Sequence, residues 1–331
     1  MALPVIVATD DRFAMACGVV MESAFQATPT PIEFILFHSG VSPENMSRLR
    51  QIVASRPASE LRLIDAEETL RSLPMPARSE SYSRMIYARL AAPEILSEVD
   101  RALYLDTDTL VRADLRVLFQ WDLQGRPLAA VRDYAAERHA LKCDEERRYY
   151  QRVLGDRPPR DYFNSGVLVM DLDQCRRRGL GVKAIRHIHE NPQLRFPDQD
   201  ALNLVAEGNV VYLPERWNTM VFEESITYDP FAPPALQTRI KAAFEDPAII
   251  HYAGYKPWSP FPINLRKQFT DVVRQTPWRR MRISHRDLTW KQRLRLVKAW
   301  RGQIVRLRVR RHEIVLQLLG RPPVLHWRRP I

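Results

Sequence analysis

Apolar residues in the first 260 positions fall into short, largely β-branched runs separated by longer stretches of mixed polarity. Val5–Ala8, Glu33–Phe37, Leu61–Ile64, Ala102–Leu105 and Leu128–Val131 read as strands. Ala14–Ala27, Pro43–Ser55 and Tyr82–Leu96 read as helices between them. Val167–Met170, Val210–Leu213 and Ala248–His251 read as later strands, less regularly spaced, and a helix is expected over Ala201–Glu207. Strands alternating with helices predict an α/β fold on a mostly parallel, doubly wound sheet. Ligands in such sheets sit outside the carboxyl ends of the strands. Asp10-Asp11 and Asp106-Thr107-Asp108 follow strands directly, so the pattern predicts them at that edge.

A different pattern begins near residue 260, where Pro257, Pro260 and Pro262 precede a basic tail. Trp290, Leu294, Val297, Trp300, Ile304, Leu307, Ile314 and Leu318 recur at mostly helical spacing, interrupted by Arg311, and predict one amphipathic helix over Trp290–Leu319. We therefore divide the chain into a body, 1–260, and a basic helical extension, 261–331. The net charge of +11 belongs to the extension. Residues 261–331 carry 19 Lys+Arg against 3 Asp+Glu, which leaves 31 against 36 over residues 1–260. A basic amphipathic helix with Trp on its apolar edge suits an anionic membrane surface. Docking on the protein's own body is the competing reading. Nucleic acid is not expected as a partner, because the aromatics lack the interleaving of a base-stacking surface.

Composition narrows the class further. At 331 residues and 45% hydrophobic the chain can bury a sizeable core. Cys17, Cys143 and Cys175 are widely spaced and form no CxxC pair, so neither a disulfide framework nor a zinc site is expected and a reducing cytosol fits. Met-Ala-Leu-Pro-Val-Ile-Val lacks the basic start of a signal peptide, and no run of eighteen apolar residues predicts a membrane span.

The candidate chemistry centres on Leu103-Tyr-Leu-Asp-Thr-Asp-Thr-Leu-Val111, where an apolar strand ends in two carboxylates one residue apart. Two such anions are costly together unless a positive species sits between them, and oxygen ligands suit a hard divalent cation. A solvated turn in which Asp satisfies backbone donors is the alternative. Three further clusters qualify. Ala8-Thr-Asp-Asp-Arg12 ends the first strand, where Asp10 can bind a base or ribose or cap the next helix. Phe196-Pro-Asp-Gln-Asp200 opens a helix, where Asp198 and Gln199 can face a reacting centre or serve the helix dipole. His251-Tyr-Ala-Gly-Tyr-Lys-Pro-Trp258 supplies an imidazole for a metal and a Lys for phosphate.

These segments, with Tyr87-Ala-Arg-Leu90, Phe163-Asn-Ser-Gly-Val-Leu-Val-Met170 and Arg216-Trp-Asn218, form an ordered set over about residues 3–260. The set resembles glycosyltransferase family 8, which includes bacterial lipopolysaccharide galactosyl- and glucosyltransferases and glycogenin. The resemblance implies a GT-A fold and transfer of galactose or glucose from a UDP-sugar, with retention of configuration, to a glycan acceptor such as lipopolysaccharide core or another lipid-linked glycan. It implies Mn²⁺, with Mg²⁺ as the alternative, on Asp106, Asp108 and His251. It places Ala8, Asp10 and Arg12 at the uracil and ribose, Gly254 and Lys256 at the diphosphate, and Arg89, Asn164, Asp198 and Gln199 at the sugar and reaction centre. Asp133 adds a sugar contact, and Thr107 joins the nucleotide-sugar set. Arg12 departs from the smaller polar residue usual there, and one residue fewer than is common separates Gly254 from Lys256. The tail would then hold a cytoplasmic enzyme on the inner face of the membrane. Asp106-Thr-Asp-Thr-Leu-Val111 also fits the motif of haloacid-dehalogenase-like phosphatases, with Asp106 as nucleophile, but three strand–helix units precede it here and such motifs usually lie near the N-terminus.

Overall fold

The structure, a computed structural model, describes residues 2–71, 84–222, 232–261 and 263–280, and the backbone of 306–310, 313–317 and 325–328. In chain order the strands are β1 (Leu3–Asp10), β2 (Ile32–Ser39), β3 (Glu60–Asp65), β4 (Arg101–Leu105), β5 (Thr109–Val111), β6 (Leu128–Arg132), β7 (Phe163–Asp171), β8 (Val210–Leu213), β9 (Thr219–Met220) and β10 (Ile249–His251). Seven of them form the main sheet in the order β3-β2-β1-β4-β7-β6-β8. All its neighbours are parallel except β7, which runs antiparallel to both β4 and β6. The α/β, mostly parallel architecture expected from the pattern is present.

Both faces of the sheet are buried, which is why its strands read as continuous apolar runs. Ile6, Ile35, Phe37 and Tyr104 pack into one layer, and Val5, Val7, Phe34, Leu36, Leu103 and Leu105 into the other. Each such side chain contributes about 1.5–3 kcal/mol when fully buried. The expected helices are present as Ala14–Ala27 and Pro43–Ala54, the second capped by Ser42. The third forms as a tight turn, Arg84–Tyr87, running into Ala88–Ile95, and Tyr82–Ser83 lie outside the described residues.

Two topological details build the site. The reversal of β7 brings its first residues, Asn164, Ser165 and Gly166, to the edge where β1 and β4 end; Asp106 N–H donates to the Gly166 carbonyl at 2.8 Å. A small sheet, β5-β10-β9, then folds over that edge and pairs His251 with Thr109. Asp108 and His251, 143 positions apart, become neighbours through this one antiparallel pair.

The extension differs from its expected form. β11 (Arg306–Arg310), β12 (Glu313–Gln317) and β13 (Leu325–Arg328) form a three-stranded antiparallel sheet. The helix expected over Trp290–Leu319 is therefore replaced by strands over 306–310 and 313–317, while its remaining residues lie outside the described ones. Arg306-Leu-Arg-Val-Arg310 alternates with period two, and Ile314-Val315 is β-branched, so both segments suit a strand. Leu307 and Ile314 fall in step with a helical spacing of three or four, but the pattern around them is locally two. Among the described residues no helix is long and apolar enough to cross a membrane.

Candidate active site

The edge where β4 ends opens into a cleft of about 380 Å³. Arg89, Asp106, Asp108, Asp133, Asn164, Asp198, Gln199 and His251 all line it, so most of the residues singled out in the sequence meet in one place.

Asp106, Asp108 and His251 converge there. One ligand atom from each lies within 4.8 Å of the others, with His251 Nε2 at 3.2 Å from Asp108 Oδ1 and 3.9 Å from Asp106 Oδ2. The tautomer of His251 follows from a chain of hydrogen bonds anchored on a backbone donor. Gly166 N–H donates to Asn164 Oδ1 (3.0 Å), which fixes that atom as an acceptor. Asn218 Nδ2 donates to the same atom (2.8 Å), so its own Oδ1 faces His251 Nδ1 at 2.9 Å and must accept from it. The lone pair of His251 is then on Nε2, directed at the two carboxylates. This is how a buried polar partner prepares a metal-ligating imidazole. A neutral imidazole and two carboxylates form a borderline-to-hard donor set that suits Mn²⁺ or Mg²⁺.

The free oxygens of the two carboxylates are held by cations. Asp106 Oδ1 accepts from Arg89 at 2.6 Å and from the Tyr104 hydroxyl at 2.9 Å. Asp108 Oδ2 accepts from Lys256 Nζ at 2.5 Å. Burial holds the Asp106 carboxyl above its ordinary range despite Arg89. Burial also pushes Asp108 up, but the Lys256 ammonium beside it outweighs this and keeps that carboxyl well below the usual range. Arg89 also donates to the Ser165 carbonyl (2.8 Å) and brings Nε to 3.2 Å from Asp198 Oδ2.

Asp198 and Gln199 come from the first turn of the helix Pro197–Val205, opened by a proline at its first position. Gln199 Oε1 accepts from Ser165 N–H (3.0 Å), and its Nε2 donates to Asp133 Oδ2 (3.1 Å). Asp133 in turn caps the helix Tyr134–Lys142 through Ala135 N and Ala136 N. Asp200, next in sequence, turns away: it accepts from the Tyr149 and Tyr162 hydroxyls at 2.5 Å each, and from Phe196 N–H. Its role is to clamp the helix start.

The remaining expected residues, Ala8, Asp10, Arg12, Thr107, Gly254 and Lys256, are not among those lining the cleft. In the β1–β4 register Ile6 pairs with Tyr104, so Ala8 and Asp106 leave the sheet together. Asp10 caps the turn that follows through Phe13 N–H, and Arg12, exposed, is paired with Asp10. Gly254 presses on Phe222, where an added Cβ would lie 2.8 Å from the Phe222 Cα. Thr107 sits between the two carboxylates without lining the cleft. Asn218, Ser165 and Tyr104 were not singled out as site residues. Asn218 stands inside Arg216-Trp-Asn218, but only the fold shows that it faces His251.

The profile of one family, described as "Glycosyl transferase family 8", matches residues 4–260. The chain belongs to glycosyl transferase family 8. Among its relatives is "Lipopolysaccharide 1,2-glucosyltransferase" of Escherichia coli K12, 30% identical over 61% of this chain and 57% of that protein. Two solved structures share the fold. "WbbM bifunctional glycosytransferase apo structure" aligns with a TM-score of 0.75 at 26% identity, over 86% of this chain and 52% of that one. Galactosyltransferase LgtC "in complex with donor and acceptor sugar analogs" aligns with a TM-score of 0.64 at 25% identity, over 89% and 100%. The chain thus spans just over half the length of the Escherichia coli and WbbM proteins. These neighbours are GT-A glycosyltransferases, and the sheet described above is of that type. The phosphatase alternative fails because the matching family is a different one.

Proposed function

We propose that the protein transfers a hexosyl group, galactose or glucose, from a UDP-sugar to a glycan acceptor with retention of configuration. The observation that carries this reading is the convergence of Asp106, Asp108 and the pre-oriented Nε2 of His251 beside Asp198 and Gln199 in one cleft. The three ligands fit Mn²⁺, with Mg²⁺ as the alternative. When bound, the ion supplies Lewis-acid stabilisation of a departing diphosphate.

The chain's own groups do the rest. Lys256 adds a second positive charge beside Asp108 for the diphosphate, with Gly254 allowing close backbone approach. Ala8, Asp10 and Arg12 stand at the end of β1, where the uridine would lie, and Thr107 borders the diphosphate. Arg89, Asp133, Asn164, Asp198 and Gln199 surround the sugar. An amide is a weak nucleophile, and both ends of Gln199 are engaged in hydrogen bonds. We therefore favour attack of the acceptor hydroxyl on the face the diphosphate leaves, the leaving oxygen taking the proton. The transition state is oxocarbenium-like, as in glycoside hydrolysis.

The relative named as a lipopolysaccharide glucosyltransferase supports a lipid-linked acceptor, lipopolysaccharide core above all. The basic extension supports a peripheral position on the cytoplasmic face of the inner membrane. Turnover of a UDP-hexose panel with Mn²⁺ tests the donor. Asp108→Ala should abolish Mn²⁺-dependent UDP binding in a calorimeter, and unchanged binding would remove the metal assignment.

A further inference from the structure

Away from the cleft, one short stretch of the body carries a charge at odds with the rest. Residues 1–260 hold 31 Lys+Arg against 36 Asp+Glu, yet Arg176, Arg177, Arg178, Lys183 and Arg186 fall close together with no acid among them. They run from the end of the short helix Leu172–Arg177 into the helix Leu180–Glu190. A second cavity opens there, of about 300 Å³, a volume at the small end of ligand pockets. Pro127 and Asn209, which directly precede β6 and β8, line it, so it lies at the sheet edge opposite the cleft. The helix Pro197–Val205 spans the distance between the two: Asp198 and Gln199 at its start line the cleft, and Leu204 and Val205 at its end line this cavity.

Two of the cations are committed to the fold. Arg176 donates to the carbonyls of Pro93 (2.9 Å) and Leu96 (3.0 Å), and Arg177 pairs with Asp173 at 2.9 Å. Arg178 and Lys183 both line the cavity, and among the described residues neither makes an ion pair or a side-chain hydrogen bond. Glu207 stands at the rim and pairs with neither, and the side-chain amide of Asn209 is equally unengaged. Leu180 and Ala206, both buried, give the cavity an apolar floor. The helix Leu180–Glu190 starts without a side-chain cap, so the positive end of its dipole adds to the same field. Two unpaired cations on one small cavity repel each other, and a dianion between them removes that cost. A guanidinium fork grips phosphate through two hydrogen bonds, and an ammonium serves as a compact charge beside it. A phosphate monoester carries nearly two charges at pH 7, where a carboxylate carries one.

We propose that this cavity binds a phosphate monoester, its phosphate held by Arg178, Lys183 and Asn209 and its organic group resting on Leu180 and Ala206. The site is independent of the transfer reading. Its ligand is a terminal phosphate carried by a small soluble molecule or by a lipid headgroup.

The test titrates the full chain calorimetrically with glycerol 3-phosphate, and separately with dihexanoyl phosphatidate, which bears the same group on two short acyl chains. EDTA is present throughout, which keeps a divalent cation and its phosphates out of the cleft. The wild type should bind at least one probe with a Kd of about 1 mM or below. Arg178→Gln and Lys183→Gln should each weaken that binding about tenfold, the worth of one hydrogen bond to a charged group. Both side chains are exposed, so the variants should melt within ~2 °C of the wild type. Binding of glycerol 3-phosphate that the variants lose assigns a soluble ligand. Binding of phosphatidate alone, lost in the same variants, assigns a lipid headgroup. The basic extension is intact in both variants, so affinity that survives them belongs to the extension and overturns the site, as does a wild type that binds neither probe.

Discussion

His251 Nδ1 lies 2.9 Å from Asn218 Oδ1, and this contact decides which imidazole nitrogen faces Asp106 and Asp108. Asn218 is fully buried on the short turn before β9, and His251 ends β10. The two strands pair in parallel, with Ile250 on Thr219 and His251 on Met220, so the contact is built into the small sheet. Asn218→Ala leaves His251 free to adopt either tautomer and deprives Asn164 Oδ1 of one donor. Losing such a partner typically costs ten- to a hundredfold in metal affinity. Calorimetric titration with Mn²⁺ should show that loss, and undiminished affinity would mean Asn218 does not orient the ligand.

Gly166 offers an independent handle on the same geometry. A Cβ built there would lie 2.8 Å from Asp106 Oδ2 and 2.9 Å from His251 Nδ1, inside both ligands. Gly166→Ala must push one of them aside, and His251, carried on a three-residue strand, is the freer. We expect Mn²⁺ binding and UDP-sugar turnover to fall together by tenfold or more. The sheet should persist, read as an unchanged far-ultraviolet circular dichroism spectrum. Normal metal affinity in a folded variant would place the ion elsewhere.

How far the site was legible in sequence depends on distance along the chain. Asp106 and Asp108 could be placed at a sheet edge from the apolar run before them, because a two-residue motif carries its own local geometry. The two-face burial of β1, β2 and β4 likewise leaves a plain apolar signature. Asp198 and Asp200 could not be separated: both sit in the first turn of one helix, and only the packing of Tyr149 and Tyr162 turns Asp200 away from the cleft. The antiparallel course of β7, which brings Asn164 and Ser165 to the site, has no local signal either, since a fully buried strand reads the same in both directions. In the extension, Leu307 is in step with the helical spacing of the residues before it, while Arg306–Arg310 itself alternates with period two and forms a strand.

The clamp at Asp200 should govern stability more than chemistry. Removing its side chain strands two buried hydroxyls and the Phe196 N–H, so Asp200→Ala should cost about 3–5 kcal/mol by urea unfolding. Asn can keep part of the network and should cost less. Burial, set against the tyrosine hydroxyls, holds the Asp200 carboxyl above its ordinary range. The folded state therefore binds a proton there at higher pH than the unfolded chain does, and stability from this group rises as pH falls through the folded-state value. Asp200→Asn cannot follow. The stability gap between wild type and Asp200→Asn should widen between pH 7 and pH 4, and a narrowing gap would reverse the assigned direction.

The basic extension can be tested without disturbing the cleft. Residues 285–331 hold 13 Lys+Arg and 2 Asp+Glu, so their removal leaves 37 of each sign in the remaining chain. The body should survive the cut, because residues before it are tied down: Trp278 packs over Gly18, and its Nε1 donates to Asn45 Oδ1 at 3.3 Å. Phe269, Val272 and Val273 share a cluster with Ile250 and Tyr252. Each basic residue near an anionic surface contributes about 1 kcal/mol, and salt screens this within a Debye length of about 10 Å at 0.1 M. Full-length protein should co-sediment with phosphatidylglycerol vesicles at 0.1 M salt, and the chain ending at residue 284 should stay in the supernatant with its UDP affinity intact. Raising salt to about 0.5 M should release much of the full-length protein, because most of the attraction is Coulombic. Co-sedimentation of the truncated chain would move the membrane contact onto the body, and failure of the full-length chain to bind would leave the extension to pack against protein instead.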